Sequence, residues 1–179
     1  MNETIHAPQG EITIRAATLD DAAALRELRL EALTGNPIAF TADPAKTAAE
    51  PPEAWAERIA RNEAGEEGMI AVAEAGGGLI GMAGLEREHW PKTRHAAFIW
   101  GVYVRPGWRG RHVAEALLSE CLAWARGHGV VVAKLGVATH NAPAIRCYTR
   151  CGFTVYGVDP QTILHEGVYY DELLMSRAV

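Results

Sequence analysis

The stretch from Trp100 to Leu118 constrains the fold of this chain more than any other. An apolar run ends at Pro106, passes through a turn rich in glycine and arginine, and continues as a helical pattern whose buried side carries no charge. A strand, a turn and a helix in this order aim the helix N-terminus, with its unpaired backbone N–H groups, into the turn. Phosphate is the usual occupant of such a place. The stretch therefore predicts an anion-binding turn over residues 109–114.

The composition is that of an ordinary globular domain. The chain has 179 residues, enough for one domain with a substantial core, and 49% of them are apolar and 22% charged. No uncharged apolar stretch approaches the roughly 18 residues that a membrane span needs. The first ten residues lack the basic and apolar segments of a secretory signal. We therefore expect a cytoplasmic protein without membrane association.

The charge and the cysteines narrow the expected partners. A net charge of −5 argues against general nucleic-acid binding, which favours basic surfaces. Cys121, Cys147 and Cys151 are too few for a disulfide framework, and they have no Cys or His partners at zinc-like spacing. We therefore expect buried free thiols, no metal and no nucleic-acid partner.

Hydrophobic periodicity and turn residues divide the chain into strands and helices after a loose tail at residues 1–10. Thr18 and Asp21 resemble a capping pair, whereas Asn36-Pro37 and Asp43-Pro44 mark an irregular segment. The predicted strands span 11–15, 69–75, 79–85, 95–104, 130–138, 153–158 and 167–177, and the predicted helices span 18–33, 53–62, 110–126 and a short segment opened by Asn141. This order predicts one α/β or α+β domain over residues 11–179, with a parallel crossover through the 110–126 helix.

Gly76, Gly78 and Gly81 match the G-x-G-x-x-G spacing of dinucleotide-binding turns. The residues that follow Gly81 have the pattern of a strand, so no helix N-terminus is available there for a pyrophosphate. A glycine-rich hairpin turn between two strands is the better interpretation.

Two segments in the second half resemble the GCN5-related N-acetyltransferase (GNAT) superfamily. Arg109-Gly110-Arg111-His112-Val113-Ala114 is similar to its signature, [Q or R]-x-x-G-x-[G or A], which also follows a strand and opens a helix. Leu135-Gly136-Val137, Asn141, Ala144, Tyr148 and Gly152-Phe153 are similar to its second cofactor segment. The resemblance implies an acetyl-CoA-dependent enzyme. It also implies a mixed, mostly antiparallel sheet of six to seven strands with about four helices and a splayed central strand pair.

The resemblance also implies which residues hold the coenzyme. Main-chain N–H groups of residues 110–114 would hold its pyrophosphate, and the splayed strand would offer backbone groups to the pantetheine arm and the acetyl oxygen. Tyr148 would protonate the leaving thiolate, although a core aromatic is its alternative role, and Asn141 is equally suited to be a helix N-cap. The coenzyme-binding residues expected on this basis are Val102, Tyr103, Val104, Arg109, Gly110, Arg111, His112, Val113, Ala114 and Asn141.

One residue departs from the signature. His112 stands where the family has a glycine that lets the backbone approach the pyrophosphate closely. An imidazole there would either crowd the phosphate or add a donor beside it. Because the Arg, Gly and Ala positions of the signature are kept, we expect coenzyme binding to survive.

The general base and the acceptor are left open by the sequence. The strand before the signature has no carboxylate, so the candidates lie near the ends of other strands, and relay through water is equally acceptable. The candidate bases are Glu86, Glu88, His89, His95 and Glu172. The regions that flank the acceptor cleft in this family supply Phe40, Trp55, Tyr169, Tyr170, Asp171 and Glu172, for most of which packing is the simpler role.

The expected reaction is direct transfer of an acetyl group from acetyl-CoA to a primary amine in a ternary complex, without an acetylated cysteine. A small-molecule amine is the preferred acceptor, and a protein N-terminus or lysine is the second. A non-catalytic acyl-coenzyme A sensor is the alternative class, supported by His112 and by the missing strand carboxylate. A nucleoside-triphosphate enzyme is disfavoured because no G-K-[S or T] occurs, and a homodimer is left open.

Overall fold

A computed structural model describes residues 3–7, 10–63 and 67–179. The described strands are β1 (Glu3–Ala7), β2 (Gly10–Ala16), β3 (Gly68–Ala75), β4 (Gly78–Arg87), β5 (Ala96–Val104), β6 (Val132–Ala138), β7 (Thr154–His165) and β8 (Val168–Ala178). The described α-helices are α1 (Ala22–Gly35), α2 (Pro44–Ala49), α3 (Pro52–Glu63), α4 (Val113–Gly127) and α5 (Ala142–Arg150).

The described strands form one mixed sheet in the order β1-β2-β3-β4-β5-β6-β8-β7. All neighbours are antiparallel except β5 and β6, which are parallel and joined through α4. This confirms the predicted mixed, mostly antiparallel sheet, its parallel crossover and the hairpin at Gly76–Gly78. The described part of the chain has eight strands and five α-helices, where six to seven and about four were expected.

The additional strand is β1, and it corrects the expectation of a loose tail for residues 3–7, whereas residues 1, 2, 8 and 9 lie outside the described residues. Glu3–Ala7 pairs antiparallel with β2, and Ile5 lies opposite Ile12. Ile5 also packs against the buried core. The strand forms because the edge of β2 offers unpaired backbone groups, and Ile5 adds an apolar contact with the core.

The additional helix is α2, and it corrects the expectation of an irregular segment around Asp43-Pro44. A carboxylate oxygen of Asp43 accepts a hydrogen bond of 2.8 Å from the backbone N–H of Lys46, and Pro44 occupies the first turn. Proline is favourable at that position because its missing N–H has no helical partner there. The Asp-Pro pair therefore begins a helix.

The strands β5 and β6 separate soon after they meet. Their pairing covers only Ala96–Phe98 against Val132–Lys134, so the later residues of both strands do not bond to each other. On its other side β5 carries a bulge, because Gly101 and Val102 together face the single residue Ala83 of β4. The predicted splayed strand pair is therefore present, and it leaves backbone groups of β5 free for a ligand.

The core is divided between the two faces of the sheet. One buried cluster packs the sheet against α4 and α5, and the other packs it against α1 and α3. Trp100 belongs to the second face and lies over Gly84, where a Cβ would be 2.1 Å from its ring. Glycine is therefore required at position 84. No helix among the described residues is both long and apolar enough to cross a membrane.

Candidate active site

A cavity of about 540 Å³ opens where β5 and β6 diverge, between the N-terminus of α4 and the side of α5. We call it the larger cavity. Ten of the eleven residues proposed from the sequence for the coenzyme and the catalytic acid line it: Val102, Tyr103, Val104, Arg109, Gly110, His112, Val113, Ala114, Asn141 and Tyr148. The structure therefore brings together residues that are up to 46 positions apart in the chain.

The turn before α4 has the backbone conformation that an anion-binding site requires. We call residues 110–114 the anion cradle. Gly110 has φ +75° and His112 has φ 60°, so two left-handed residues aim the start of the helix into the larger cavity. The first backbone bond of α4 runs from the N–H of Ala116 to the carbonyl of His112, at 3.0 Å. The N–H groups of Val113 and Ala114 thus have no helical acceptor, and the helix dipole makes the position favourable for negative charge.

His112 takes the left-handed conformation itself, in place of the glycine of the family signature. Its side chain is 76% exposed, and its Nδ1 lies 3.1 Å from a carboxylate oxygen of Glu115. Glu115 also accepts hydrogen bonds of 3.1 and 2.5 Å from Arg150. Although burial opposes it, the hydrogen bonds from Arg150 and His112 lower the pKa of Glu115. The imidazole therefore lies at the rim of the cradle, bonded to a side chain.

We expect His112→Gly to hold or improve affinity for coenzyme A. A non-glycine residue in the left-handed region carries a strain of about 1 kcal/mol, which glycine relieves. The lost contact with Glu115 is exposed, so its removal matters little. Isothermal titration with coenzyme A should give a Kd equal to or below that of the wild type, with an unfolding free energy about 0.5–1 kcal/mol higher. A Kd more than about 10-fold weaker would identify the imidazole as a phosphate ligand.

The two arginines of the signature take different places. Arg109 lines the larger cavity, and its Nε donates to the carbonyl of Val104 at 2.9 Å. This bond covers one of the backbone acceptors that β5 leaves free. Arg111 does not line the cavity, and its guanidinium carbon lies 5.7 Å from the ring centre of Trp108. The arrangement brings Arg109, but not Arg111, to the cradle.

The start of α5 confirms the capping role of Asn141. Its side-chain oxygen accepts a hydrogen bond of 3.3 Å from the backbone N–H of Ala144, and it also lines the larger cavity. Capping fixes the start of the helix that carries Tyr148 into the larger cavity.

Tyr148 is 8% exposed and packs edge-on against Phe153, with ring centres 6.3 Å apart. Its hydroxyl has no hydrogen-bond partner among the described residues. Burial raises the pKa of Tyr148 far above its usual value, and Cys147, Cys151 and Glu172 add to the rise. The phenol therefore keeps its proton at neutral pH and is available as a donor inside the cavity.

Cys147 also lines the larger cavity, which sequence reasoning did not anticipate. Its thiol forms a hydrogen bond with the thiol of Cys151, and this hydrogen bond, followed by burial, raises the pKa of Cys147 well above its usual value. A thiol held in its protonated form is a poor nucleophile. The raised pKa therefore disfavours Cys147 as a nucleophile.

A second cavity, of about 340 Å³, lies on the α1 and α3 side of β5. We call it the smaller cavity. Its walls include two tryptophans, three arginines and three glutamates. The residues that line it include Arg29, Trp55, Arg58, Glu86, His89 and Trp100.

Two of the five candidate bases line a cavity, and the other three line neither. Glu86 and His89 line the smaller cavity, with Nε2 of His89 3.6 Å from the Glu86 carboxylate. Glu172 lies on β8, with a carboxylate oxygen 2.9 Å from where a Cβ of Gly136 would be, and burial and then Asp159 raise its pKa. Glu88 and His95 line neither cavity.

The aromatic residues expected at the acceptor cleft are also divided. Trp55 lines the smaller cavity and Phe40 the larger, whereas Tyr169, Tyr170 and Asp171 line neither. Tyr170 lies against the ring of His140, with centres 5.3 Å apart, and Asp171 accepts a hydrogen bond from the backbone of Gln161. These three residues belong to β8, which pairs with β7 in a hairpin.

Comparison with known proteins identifies the family of this chain. The acetyltransferase (GNAT) family matches residues 25–153. An L-amino acid N-acetyltransferase of Escherichia coli is 32% identical over 127 residues, covering 69% of this chain and 74% of that protein. An N-alpha-acetyltransferase of Mycobacterium tuberculosis is 33% identical over 148 residues, covering 82% of this chain and 81% of that protein.

The solved structure of yncA from Salmonella typhimurium, which holds its cofactor acetyl-CoA, superposes with a TM-score of 0.77. It is 28% identical, and the superposition covers 93% of each chain. A helix N-terminus beside a splayed strand pair suits the binding of coenzyme A, and the family match and the relatives identify the class as acetyltransferases. The chain belongs to the acetyltransferase (GNAT) family. It is an acetyl-CoA-dependent N-acetyltransferase.

Proposed function

We propose that this enzyme transfers the acetyl group of acetyl-CoA directly to a primary amine of a small molecule, with both substrates bound at once. The observation that carries the proposal is that two cavities adjoin β5 within a few residues of each other. Val102, Tyr103 and Val104 line the larger one, and Trp100 lines the smaller one. Two substrates bound in this way reach the same bulge of β5.

The larger cavity suits coenzyme A. Unpaired N–H groups of Val113 and Ala114 and the dipole of α4 favour its pyrophosphate, and the free backbone of β5 favours the amide groups of its pantetheine arm. Acetyl-CoA, when bound, supplies an activated thioester. A backbone N–H of Val102–Val104 is placed to stabilise negative charge on the acetyl oxygen, since β6 has diverged and offers no competing acceptor.

Proton transfers complete the reaction. The amine nitrogen bonds to the acetyl carbon, the carbon–sulfur bond breaks, and the sulfur takes a proton from the hydroxyl of Tyr148. The nitrogen loses one proton, for which Glu86 and His89 at the smaller cavity offer an acceptor, directly or through water. Cys147 does not take part, because its thiol is held protonated.

A small-molecule acceptor is supported by the limited volume of the smaller cavity, about 340 Å³, and by its mixture of aromatic and charged walls. The name of the Escherichia coli relative, an L-amino acid N-acetyltransferase, points the same way. A cytoplasmic location and a homodimer remain predictions.

The test measures binding and turnover separately. Isothermal titration with acetyl-CoA should show one tight site, and thiol release over a panel of small amines, peptide N-termini and lysine peptides should be fastest with a small amine. Initial-rate plots should intersect, and intact mass spectrometry of enzyme mixed with acetyl-CoA alone should show no acetylated cysteine. Tight binding without turnover on any amine would favour an acyl-coenzyme A sensor. Parallel initial-rate lines with acetylated Cys147 would overturn direct transfer.

A further inference from the structure

Arg29 is a cation without an anion in the wall of the smaller cavity. It projects from α1, and burial, followed by repulsion from Arg58, lowers its pKa to about 10, with Glu50 only partly offsetting the change. Its Nη1 is buried and has no hydrogen-bond partner, and within the described residues it forms no ion pair. A buried charge without a partner is unfavourable, so a bound anion would stabilise Arg29.

Two aromatic rings hold the guanidinium in place. Its central carbon lies 4.9 Å from the ring centre of Phe40 and 5.9 Å from that of Trp100. These contacts stabilise a cation and fix its plane, but they supply no hydrogen-bond acceptor. The N–H groups of Arg29 therefore remain available to a ligand.

A second buried donor lines the same cavity. Trp55 is 1% exposed, and its indole Nε1 has no hydrogen-bond partner. Guanidinium and indole nitrogens can only donate. A ligand that satisfies both must bring acceptor oxygens, and a carboxylate matches the fork of an arginine.

Arg29 is also close to the reacting end of the larger cavity. Its Nη1 lies 3.3 Å from where a Cβ of Gly101 would be, and Gly101, with φ 64°, belongs to the bulge of β5. Its neighbour Val102 lines the larger cavity. An anion on Arg29 is therefore within a few bonds of the backbone that would hold the acetyl group, so the amine must be near the anion in the same molecule.

We propose that Arg29 binds the carboxylate of the acceptor, and that the acceptors are small amines with a carboxylate next to the amino group, the chemistry of α-amino acids. The inference rests on the proposed acetyl transfer and names its substrate class. The remaining charges of the smaller cavity agree with a zwitterionic ligand, because Arg58 and Arg61 are accompanied by Glu50, Glu67 and Glu86.

The experiment compares L-amino acids with the matching amino-acid amides, which keep the amine and the side chain but lack the negative charge. Wild-type enzyme should give a kcat/KM about 10- to 100-fold higher for the acid than for the amide, the range expected for a hydrogen-bonded charge. Arg29→Met should remove most of this preference through KM for the acid while leaving the amide unchanged. Arg29→Lys should restore part of it. Arg126→Met, on an exposed arginine of α4 outside both cavities, is the matched control.

Thermal shift provides a readout that does not need turnover. With coenzyme A present, an L-amino acid should raise the Tm of the wild type and of Arg126→Met but not that of Arg29→Met. Equal rates on acids and amides, or a loss on both in Arg29→Met, would overturn the inference while leaving acetyl transfer intact. Absence of turnover on every amine would overturn the proposed function, and the thermal shift would then decide alone whether Arg29 binds the carboxylate.

Discussion

Tyr148→Phe should lower kcat by about 100-fold while changing the Kd of acetyl-CoA by less than about 2-fold, since general acid catalysis contributes about 100-fold or more. The phenyl ring fills the same space, so packing against Phe153 is kept. Only the hydroxyl is lost, and it has no partner among the described residues. Pre-steady-state and steady-state thiol release, together with isothermal titration, measure the two quantities. Because no internal hydrogen bond is broken, the variant should fold normally.

Tyr156→Phe is the matched control, since Tyr156 is an exposed tyrosine of β7 outside both cavities. It should retain wild-type kcat. If kcat of Tyr148→Phe were also unchanged, the hydroxyl would have no role as an acid, and the leaving thiolate would take its proton from water.

The pH dependence follows from the raised pKa of Tyr148. Burial favours the neutral phenol, so the proton donor should persist above pH 10, where an unperturbed tyrosine ionises. The folded state therefore binds this proton more tightly than the unfolded state does. Its contribution to the free energy of unfolding is complete below about pH 10 and is lost as the pH rises towards the folded-state pKa. Above about pH 10, the free energy of unfolding of the wild type should therefore fall more steeply with pH than that of Tyr148→Phe.

The sequence is most informative where function depends on local geometry. The turn at Gly110 and His112, the cap at Asn141 and the inward position of Tyr148 each depend on residues a few places apart, and all three line one cavity. Periodicity gives the face of an element, and capping residues give its start. Those two signals are enough to predict most of the residues that line the larger cavity.

The acceptor side depends on contacts between distant elements, which spacing does not reveal. Arg29 follows the apolar stripe of α1 and reads as an ordinary helix residue, yet Phe40 and Trp100 enclose it. Its neighbours come from a loop and from a strand some 70 positions away. The same limitation applies to β1, whose sequence alone predicts a tail, because its pairing with β2 is what makes it a strand. For Arg29, the signal that the sequence offers is an arginine next to the buried stripe of α1.

Ala114→Glu should weaken acetyl-CoA binding by about 30- to 100-fold. Ala114 lines the larger cavity in the first turn of α4, where its N–H lacks a helical acceptor. A carboxylate there faces the pyrophosphate that the cradle is proposed to hold. At an effective dielectric constant of about 20, two like charges about 6 Å apart repel by about 3 kcal/mol, which corresponds to the upper end of that range. Isothermal titration at two salt concentrations measures the effect.

Ala114→Gln separates charge from size, because glutamine has the shape of glutamate without its charge. It should weaken binding by less than about 10-fold, and the difference between the two variants should shrink as salt rises, since added ions screen the repulsion. A penalty shared equally by both variants and unaffected by salt would mean that bulk alone is responsible. The pyrophosphate would then lie away from the start of α4, and the coenzyme would have to enter the larger cavity in another orientation.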